Sequence, residues 1–509
     1  MSEPLVIRRP RLRLALNTLA NASAQVVSFI VTLVTLPLLL RAYGAGTYGL
    51  FVLATSVVGV VMMFDFGLGV TTTRQIAAAA AIDDERGLAH TLSASISLHM
   101  LIGITATLVL ALIAAFAGRF FHVTPVQAAL LKLMLIWQAA QQLLTWPAKP
   151  GNYVLAGHQR YGTIALFSVI SAVLSAAAII FVLVTRRGPL VLTMLNCAII
   201  VVCTGVMFII ALVSLPPSVR RLLRPQLGSA ARTLISLGLP LYIVQMAAFL
   251  MRQQANRLII GIVMGAATVG LFEAAAKLAS SISQINDLSY SALLPYVTRL
   301  YAREEHEQLA STFVTGSRYL SLMLIPGIFV TVLFAPQLIR LWCGPGFELS
   351  GTTARLLLAS QLFWPITMVG DTIIIGQGQI KRWAPVALCA GIANVVLALI
   401  LIHPLGIVGV ALATLAVDLT EIPLHLRLTL KLARVPLRDW ARRAALPNLP
   451  ALMLTLVLWL AAGSARLIPH TLIGLVAFMF LVLLIAWLLS AALFLRKDIW
   501  RFAKRLRSH

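Results

Sequence analysis

The sequence predicts an all-α polytopic membrane protein of about fourteen transmembrane helices. Of its 509 residues 60% are hydrophobic and only 11% are charged, and the mean hydropathy is +0.95. In soluble domains about a quarter of the residues are charged. With far fewer charged residues here, many apolar side chains must face lipid. The apolar runs are continuous and roughly twenty residues long, as in a spanning helix and unlike the alternating strands of a barrel.

Short polar loops separate the hydrophobic runs, and none of them is long enough to form a further domain. The four cysteines are scattered, so we expect no disulfide framework, no metal site and no cofactor. The predicted spans cover residues 15–40, 47–70, 91–117, 126–148, 162–184, 190–214, 234–261, 269–295, 313–335, 352–376, 384–402, 406–426, 448–465 and 471–495.

The positive charge of the chain lies mainly in the loops. The net charge is +24, and with a cytoplasmic N-terminus 28 of the 40 Lys and Arg residues fall on the cytoplasmic side against 6 on the other. Basic residues collect in cytoplasmic loops and beside anionic lipid. We therefore predict a multi-pass protein of the bacterial inner membrane with both ends in the cytoplasm, and no nucleic-acid partner.

A short internal repeat predicts two halves. Residues 44–51 read GAGTYGLF and residues 265–272 read GAATVGLF, identical at six of eight positions and 221 residues apart. Each lies at the outer turn between two spans, and a turn that returns after six spans indicates a parallel repeat. The predicted segments are an N-terminal six-helix bundle (1–214), a basic cytoplasmic linker (215–233), a C-terminal six-helix bundle (234–426), a basic cytoplasmic loop (427–447), and spans 13 and 14 with a basic tail (448–509).

Polar side chains follow one face of the eighth predicted span. Ionisable groups inside a bilayer are costly and are functional candidates by default. Spacings of 4, 3, 4, 3 and 4 place this stripe on a single helical face, which must contact protein or water. The stripe consists of Glu273, Lys277, Ser280, Gln284, Asp287 and Ser291.

The seventh span approaches this stripe across the repeated outer turn. Arg257 and Glu273 lie at similar depth, so we predict a structural ion pair between them. Arg252 and Lys277 then lie close together, and two like charges repel unless an anion lies between them. We therefore predict a cationic site for a phosphate group; the alternative is that Lys277 snorkels outward while Arg252 bonds to amides and carbonyls. The other residues assigned to the site are Asn256 and Gln284.

Further carboxylates are candidates for ion coupling or gating. Asp65 ends the second span, where a helix-end turn is an equally good explanation. Asp371 lies on the tenth span. Asp418 shares a face of the twelfth span with Glu421 and His425, which suits either proton handling or pairing with the basic loop that follows. The coupling candidates are Asp65, Asp287, Asp371 and Asp418.

The motifs of common enzymes are missing. The sequence contains no GxxxxGK[ST] nucleotide loop and no HExxH metal motif. A membrane transferase or polymerase would need acidic catalytic residues in a sizeable outer loop, and these loops hold almost no carboxylates. We therefore expect no enzymatic activity.

Two segments near the N-terminus carry a family motif. LLLRAYGAGTYGLF occupies residues 38–51, and FDFGLGVTTTR occupies residues 64–74. They resemble the polysaccharide-export branch of the multidrug/oligosaccharidyl-lipid/polysaccharide flippase superfamily, in which R-x-x-G-x-x-x-Y-G-L precedes D-x-G-L and a nearby TR. The motif residues are Arg41, Gly44, Tyr48, Gly49 and Arg74.

The resemblance implies two six-helix bundles around a central cavity that opens alternately to each side. It implies transport of undecaprenyl-pyrophosphate-linked oligosaccharide, an O-antigen, capsule or exopolysaccharide repeat unit, from the cytoplasmic to the periplasmic leaflet. The implied partners are this lipid-linked glycan and membrane lipids. A polysaccharide polymerase and a chain-length regulator are candidate protein partners.

Other functions stay open as alternatives. A multidrug/cation antiporter of the same superfamily would need unpaired carboxylates in the first or seventh span, where the sequence has none. A peptidoglycan-precursor flippase also has fourteen spans. Its typical basic residues in the first span are missing here, because Arg13 precedes the apolar run and Arg41 follows it. A scaffold without transport activity does not explain the charged stripe.

Overall fold

The computed structural model describes residues 10–251 and 254–495, without the side chains of 10–29, most of 240–251 and 284–295. Every regular element in these residues is helical, as a bilayer requires of backbone that must pair within each span. In this part of the chain nine helices are long and apolar enough to cross a membrane. The predicted all-α polytopic class is confirmed.

The chain forms two compact units, residues 1–270 (unit 1) and 271–509 (unit 2). Unit 1 contains α1 (Pro10–Met62), α2 (Leu68–Ala81), α3 (Glu85–Ala115), α4 (Ala117–Phe120), α5 (Pro125–Thr145), α6 (Pro150–Gly157), α7 (Tyr161–Val184), α8 (Pro189–Ser214), α9 (Pro217–Leu222), α10 (Ser229–Met251), α11 (Gln254–Val263) and the start of α12 (Ala266–Ala302). Unit 2 contains the rest of α12, then α13 (His306–Cys343), α14 (Glu348–Ser360), α15 (Trp364–Gly376), α16 (Ile380–Ala433), α17 (Leu437–Trp440), α18 (Leu449–Ser464) and α19 (Leu472–Ser490).

The compact units do not divide at the predicted linker. Helix α11 packs against α1, and α10 packs against α2 and α3, so both belong to unit 1 although they form the predicted seventh span. The division into two six-helix bundles rests on the sequence repeat and stays a prediction.

The described residues of each predicted span are mostly helical, and several breaks between helices fall at glycine or proline. Helix α1 holds the first two spans and turns at Gly44 (φ 70°), and α16 holds the eleventh and twelfth and turns at Gly406 (φ 59°). Positive φ is accessible to glycine at little steric cost. The fourth span is divided by a 3-10 turn at Trp146–Ala148, where Pro147 lacks a backbone donor. This turn places Lys149 directly before α6.

Unit 1 is held together by packing of α3 against α5, of α5 and α7 against α8, and of α2 against α3 and α6. Its largest fully buried side chain is Trp146, which lies in one cluster with Leu53, Leu98 and Leu131. In lipid such side chains stabilise the unit through close van der Waals contact. The packing of α2 on α6 positions the site described below.

Unit 2 is organised around α13, which packs against α14, α15 and α19. Phe313 and Phe334 on α13 are fully buried. The last predicted span joins this core through an edge-to-face contact between Phe334 and Phe478, with ring centroids 5.9 Å apart. Helices α18 and α19 therefore form part of the packed unit.

Candidate functional site

A polar cavity of about 830 Å³ lies in unit 1 between the end of α1, helix α2 and helix α6, and it opens to the surface. The turn after α1 and the break before α6 bring these elements together, because α2 packs against α6. Its polar lining residues are Asp65, Thr73, Arg74, Lys149, Tyr153, Gln159 and Tyr161. Asp65 and Arg74, two residues singled out by the sequence, thus face one space.

Asp65 is the carboxylate of this cavity. Its Oδ2 accepts a hydrogen bond from the Gly69 backbone nitrogen at 3.3 Å, and its Oδ1 accepts one from the Tyr153 hydroxyl at 3.4 Å. The two residues after Asp65 form a left-handed turn at Phe66 (φ 48°) and Gly67 (φ 71°), which brings the carboxylate to the first turn of α2. Asp65 therefore caps a helix and also lines the cavity, so the two predicted explanations coexist.

His99 on α3 contacts Asp65 from the interior of the unit. It is fully buried, and its Nε2 lies 3.5 Å from Asp65 Oδ1. Its Nδ1 lies 2.8 Å from the Ser95 carbonyl oxygen, which accepts but cannot donate, so Nδ1 carries a proton. A neutral imidazole would then turn the lone pair of Nε2 toward the carboxylate. A proton between Nε2 and Oδ1 makes this contact a charge-assisted hydrogen bond instead.

Lys149 forms the cationic wall of the cavity. Its Nζ lies 3.2 Å from the centroid of the Trp146 ring and 3.3 Å from Met62 Sδ. Among the salt bridges of the described residues none involves Lys149. A cation held over an aromatic face is attracted by the ring quadrupole, and the Asp65 carboxylate attracts the same ammonium.

Arg74 lies opposite on α2 and is exposed. No salt bridge of the described residues includes it either. The residue before it, Thr73, donates its hydroxyl to the Gly69 carbonyl one turn earlier. The cavity can therefore offer two positive charges, while its carboxylate already has donors of its own.

A second titratable cluster lies in unit 2. His425 Nε2 on α16 lies 2.8 Å from Asp371 Oδ1 on α15. The His425 ring also meets Trp383 edge-on, with centroids 4.8 Å apart. His425 is buried, and the Asp371 side chain is 46% exposed. The pair thus joins a buried imidazole to a carboxylate that solvent can reach.

Two more carboxylates of α16 complete this cluster. Asp418 is buried and hydrogen-bonds to the Ser360 side chain, and Glu421 lies within electrostatic range of Asp418 and Asp371. In the described part of the chain no salt bridge joins them to the basic loop. Proton handling and pairing with that loop both stay predictions.

The stripe of the eighth span is described only in its first half. Glu273 is buried, and its Oε1 lies 3.7 Å from Lys277 Nζ, one turn along α12. On α11, Asn256 and Arg257 are buried. Arg252 and the side chains of Gln284 and Asp287 lie outside the described residues. The anion site at Arg252 and Lys277 and the pair of Arg257 with Glu273 stay predictions.

The remaining motif residues surround the first outer turn. Tyr48 is buried and stacks on Phe51, with ring centroids 6.4 Å apart. Gly44 is the break in α1, Gly49 packs against another turn, and Arg41 is exposed. The first motif segment therefore has a structural role at the turn. The second segment contains Asp65 and Arg74, which line the cavity.

The sequence analysis does not identify three residues that surround Asp65 or line its cavity, namely Lys149, His99 and Tyr153. Lys149 was counted only as a cytoplasmic charge, and His99 and Tyr153 were not singled out. His99 carried a usable signal, because a histidine within an apolar span is unusual. Tyr153 carried none, since it approaches Asp65 from a separate helix.

Comparison with known proteins agrees with the resemblance seen in the sequence. A family model described as polysaccharide biosynthesis protein matches residues 14–301, more than half of the chain. The probable low-salt glycan biosynthesis flippase Agl15 of Haloferax volcanii is 23% identical over 156 residues, which are 31% of this chain and 33% of that protein. The chain thus spans about a third of the length of this curated relative.

The fold is shared with solved membrane transporters. The lipid II flippase MurJ in an inward closed conformation matches with a TM-score of 0.70 at 14% identity, covering 95% of this chain and 100% of that one. An inward-facing multidrug resistance MATE family transporter of the MOP superfamily matches with a TM-score of 0.64 at 17% identity, covering 82% and 99%. At these identities the likeness shows the fold alone.

Proposed function

The chain belongs to the polysaccharide biosynthesis protein family, and from this premise we propose that it is a flippase for undecaprenyl-pyrophosphate-linked oligosaccharide. The cargo is an O-antigen, capsule or exopolysaccharide repeat unit, carried by alternating access from the cytoplasmic to the periplasmic leaflet of the bacterial inner membrane. The observation that carries this proposal is the unit 1 cavity, which holds two cations in a polar space within an apolar helical unit.

The physical problem of this cargo fits such an arrangement. A polyprenyl tail can stay in lipid while the pyrophosphate and sugars need a polar path through the protein. With the cell interior negative, outward movement of an anion is favoured by about 2.3 kcal/mol per charge per 100 mV. Cations in the path lower the free-energy cost of taking the phosphates out of water. They also partly neutralise the phosphate charge, which reduces the gain from the membrane potential.

The proposal includes the predicted arrangement of the chain. Both ends lie in the cytoplasm, so the cavity with Arg74 and Lys149 opens at the cytoplasmic end. Arg252 and Lys277 are the second anion site of the proposal. A polymerase and a chain-length regulator are the proposed protein partners, and no enzymatic step is assigned to the chain.

A second candidate function is an ion-coupled multidrug/cation antiporter. It is favoured by the unit 2 cluster, in which Asp418 and Glu421 place carboxylates within a helix that the bilayer surrounds. The same cluster serves a flippase equally well if proton movement drives its cycle. The cargo test must therefore include an organic cation.

The test is translocation in proteoliposomes containing the full chain. A fluorescent polyprenyl-pyrophosphate oligosaccharide in the outer leaflet is quenched by an impermeant reagent, and a fluorescent organic cation is measured in parallel. Loss of flipping in Arg252→Ala/Lys277→Ala, with Arg299→Ala unchanged as the control on the same helix, supports the proposal. Transport of the cation alone by the wild type would favour the antiporter.

A further inference from the structure

We propose that the unit 1 cavity binds the diphosphate of an amphiphilic polyprenyl carrier, with Arg74 and Lys149 as its anion ligands. This inference deepens the proposed function and rests on it, because it names the part of the carrier that is recognised before translocation. It is distinct from the site predicted at Arg252 and Lys277, which lies at the seventh and eighth spans.

The charges in the cavity favour an anion. Asp65 already receives hydrogen bonds from Gly69 and Tyr153 and lies beside His99. Arg74 has no salt-bridge partner among the described carboxylates, and Lys149 is attracted by Asp65 without forming a salt bridge to it. A phosphate group provides the several acceptor oxygens that an ammonium and a guanidinium need.

The contacts of Lys149 favour a ligand that binds and dissociates. An aromatic face and a thioether hold the ammonium in place, but neither is a strong acceptor. Two of the nearby hydroxyls are occupied, since Thr73 donates to the Gly69 carbonyl and Tyr153 donates to Asp65. Binding is therefore expected to depend on charge rather than on hydroxyl contacts, and to weaken with salt.

The rim of the cavity favours a ligand with an apolar tail. Met62 and Val70 line the cavity and are 38% and 55% exposed. Met62 ends α1, whose apolar stretch is one of the candidate spans. An isoprenoid chain in lipid can contact these side chains while its phosphates reach the cations.

The volume of the cavity is also larger than a single phosphate group would fill. Its volume of about 830 Å³ lies in the range of small-molecule pockets, about 300–1,000 Å³. A diphosphate with the first sugar fits such a space. Inorganic phosphate would leave most of it to water.

The experiment measures equilibrium binding of a fluorescent short-chain polyprenyl diphosphate without sugar to the full chain in zwitterionic nanodiscs. The competitors are inorganic pyrophosphate and the uncharged polyprenol. The variants are Arg74→Gln, Lys149→Gln and the charge-preserving Lys149→Arg. Arg160→Gln is the matched control, because Arg160 is an exposed arginine at the start of α7 and does not line the cavity.

Loss of one charge-assisted contact should weaken binding about ten-fold in Arg74→Gln and in Lys149→Gln. Lys149→Arg should retain most of the affinity, and Arg160→Gln should bind within about two-fold of wild type. Wild-type affinity in Arg74→Gln, an exposed position that does not threaten folding, would overturn the proposal. Equal affinity for inorganic pyrophosphate and the lipid would overturn it as well.

This binding test separates the inference from the proposed function. Flipping by the wild type with unchanged binding in Arg74→Gln and Lys149→Gln would refute the cavity site and leave the flippase standing. Charge-dependent binding without any flipping would support the cavity site and refute the flippase.

Discussion

Gly49 and Gly270 hold equivalent positions in the two copies of the repeat, and each packs against the turn that carries the other. A Cβ atom on Gly49 would lie 1.7 Å from the Ala266 carbonyl oxygen and 2.9 Å from the Gly270 nitrogen. A Cβ atom on Gly270 would lie 2.2 Å from the Ala45 carbonyl oxygen. Ala45 and Ala266 are equivalent in the repeat too. The contact is reciprocal and joins backbone to backbone.

We predict that Gly49→Ala and Gly270→Ala each force the two turns apart, since the atoms met by the new methyl group belong to the backbone and cannot rotate away. Overpacking costs typically about 1–3 kcal/mol, and we expect the upper end here. The measurement is the thermal unfolding midpoint of the purified protein. Gly205→Ala is the control, because open space surrounds that glycine of α8. Equal midpoints for all three variants would contradict the contact.

His99 and Asp65 should be energetically coupled. Removing one partner of a buried pair leaves the other uncompensated, so His99→Gln and Asp65→Asn are each expected to destabilise the protein by about 3 kcal/mol. The double variant should lose about 1–3 kcal/mol less than the sum of the single variants. Chemical unfolding of the three variants measures this difference. Strict additivity would show that the 3.5 Å approach carries no interaction energy.

Much of this fold was predictable because the bilayer permits few solutions. Continuous apolar runs of about twenty residues fix helices, and Gly44 and Gly406 fall where the hydrophobic pattern placed turns or span ends. The boundary of unit 1 was not predictable from the same pattern. It depends on α10 and α11 packing against α1, α2 and α3, which no hydropathy profile encodes.

The sequence predicted individual residues of the site but not the contacts between them. Asp65 and Arg74 belong to one motif and were both singled out, and the structure places them in one cavity. Asp371 and His425 were singled out separately, yet they are hydrogen-bonded. These two residues are 54 positions apart in the sequence and meet because their helices pack together. A single sequence does not show which distant residues come into contact.

The contact between Lys149 and Trp146 should be worth a measurable part of the stability. Trp146→Leu removes a fully buried ring and is expected to cost about 3–5 kcal/mol, mostly through the cavity that remains. In a Lys149→Met background the same change should cost about 0.5–2 kcal/mol less, because no cation–π attraction is left to lose. Unfolding of the four proteins in the cycle measures the difference. An identical cost in both backgrounds would exclude the cation–π contribution.

Asp371 and His425 should couple transport to protons. The hydrogen bond between them joins a buried ring on α16 to a carboxylate on α15 that is 46% exposed, so a change of charge at either group acts on both helices. We expect Asp371→Asn and His425→Gln each to reduce about ten-fold the acceleration of glycan flipping by an imposed pH gradient, because the variant pair can no longer exchange a proton at that site. Flipping without a gradient should change less. Asp439→Asn, an exposed carboxylate on α17, is the matched control and should respond as the wild type does. If both variants keep the full response to the gradient, the pair is a structural hydrogen bond, and the coupling acids must be sought elsewhere on α16, at Asp418 and Glu421.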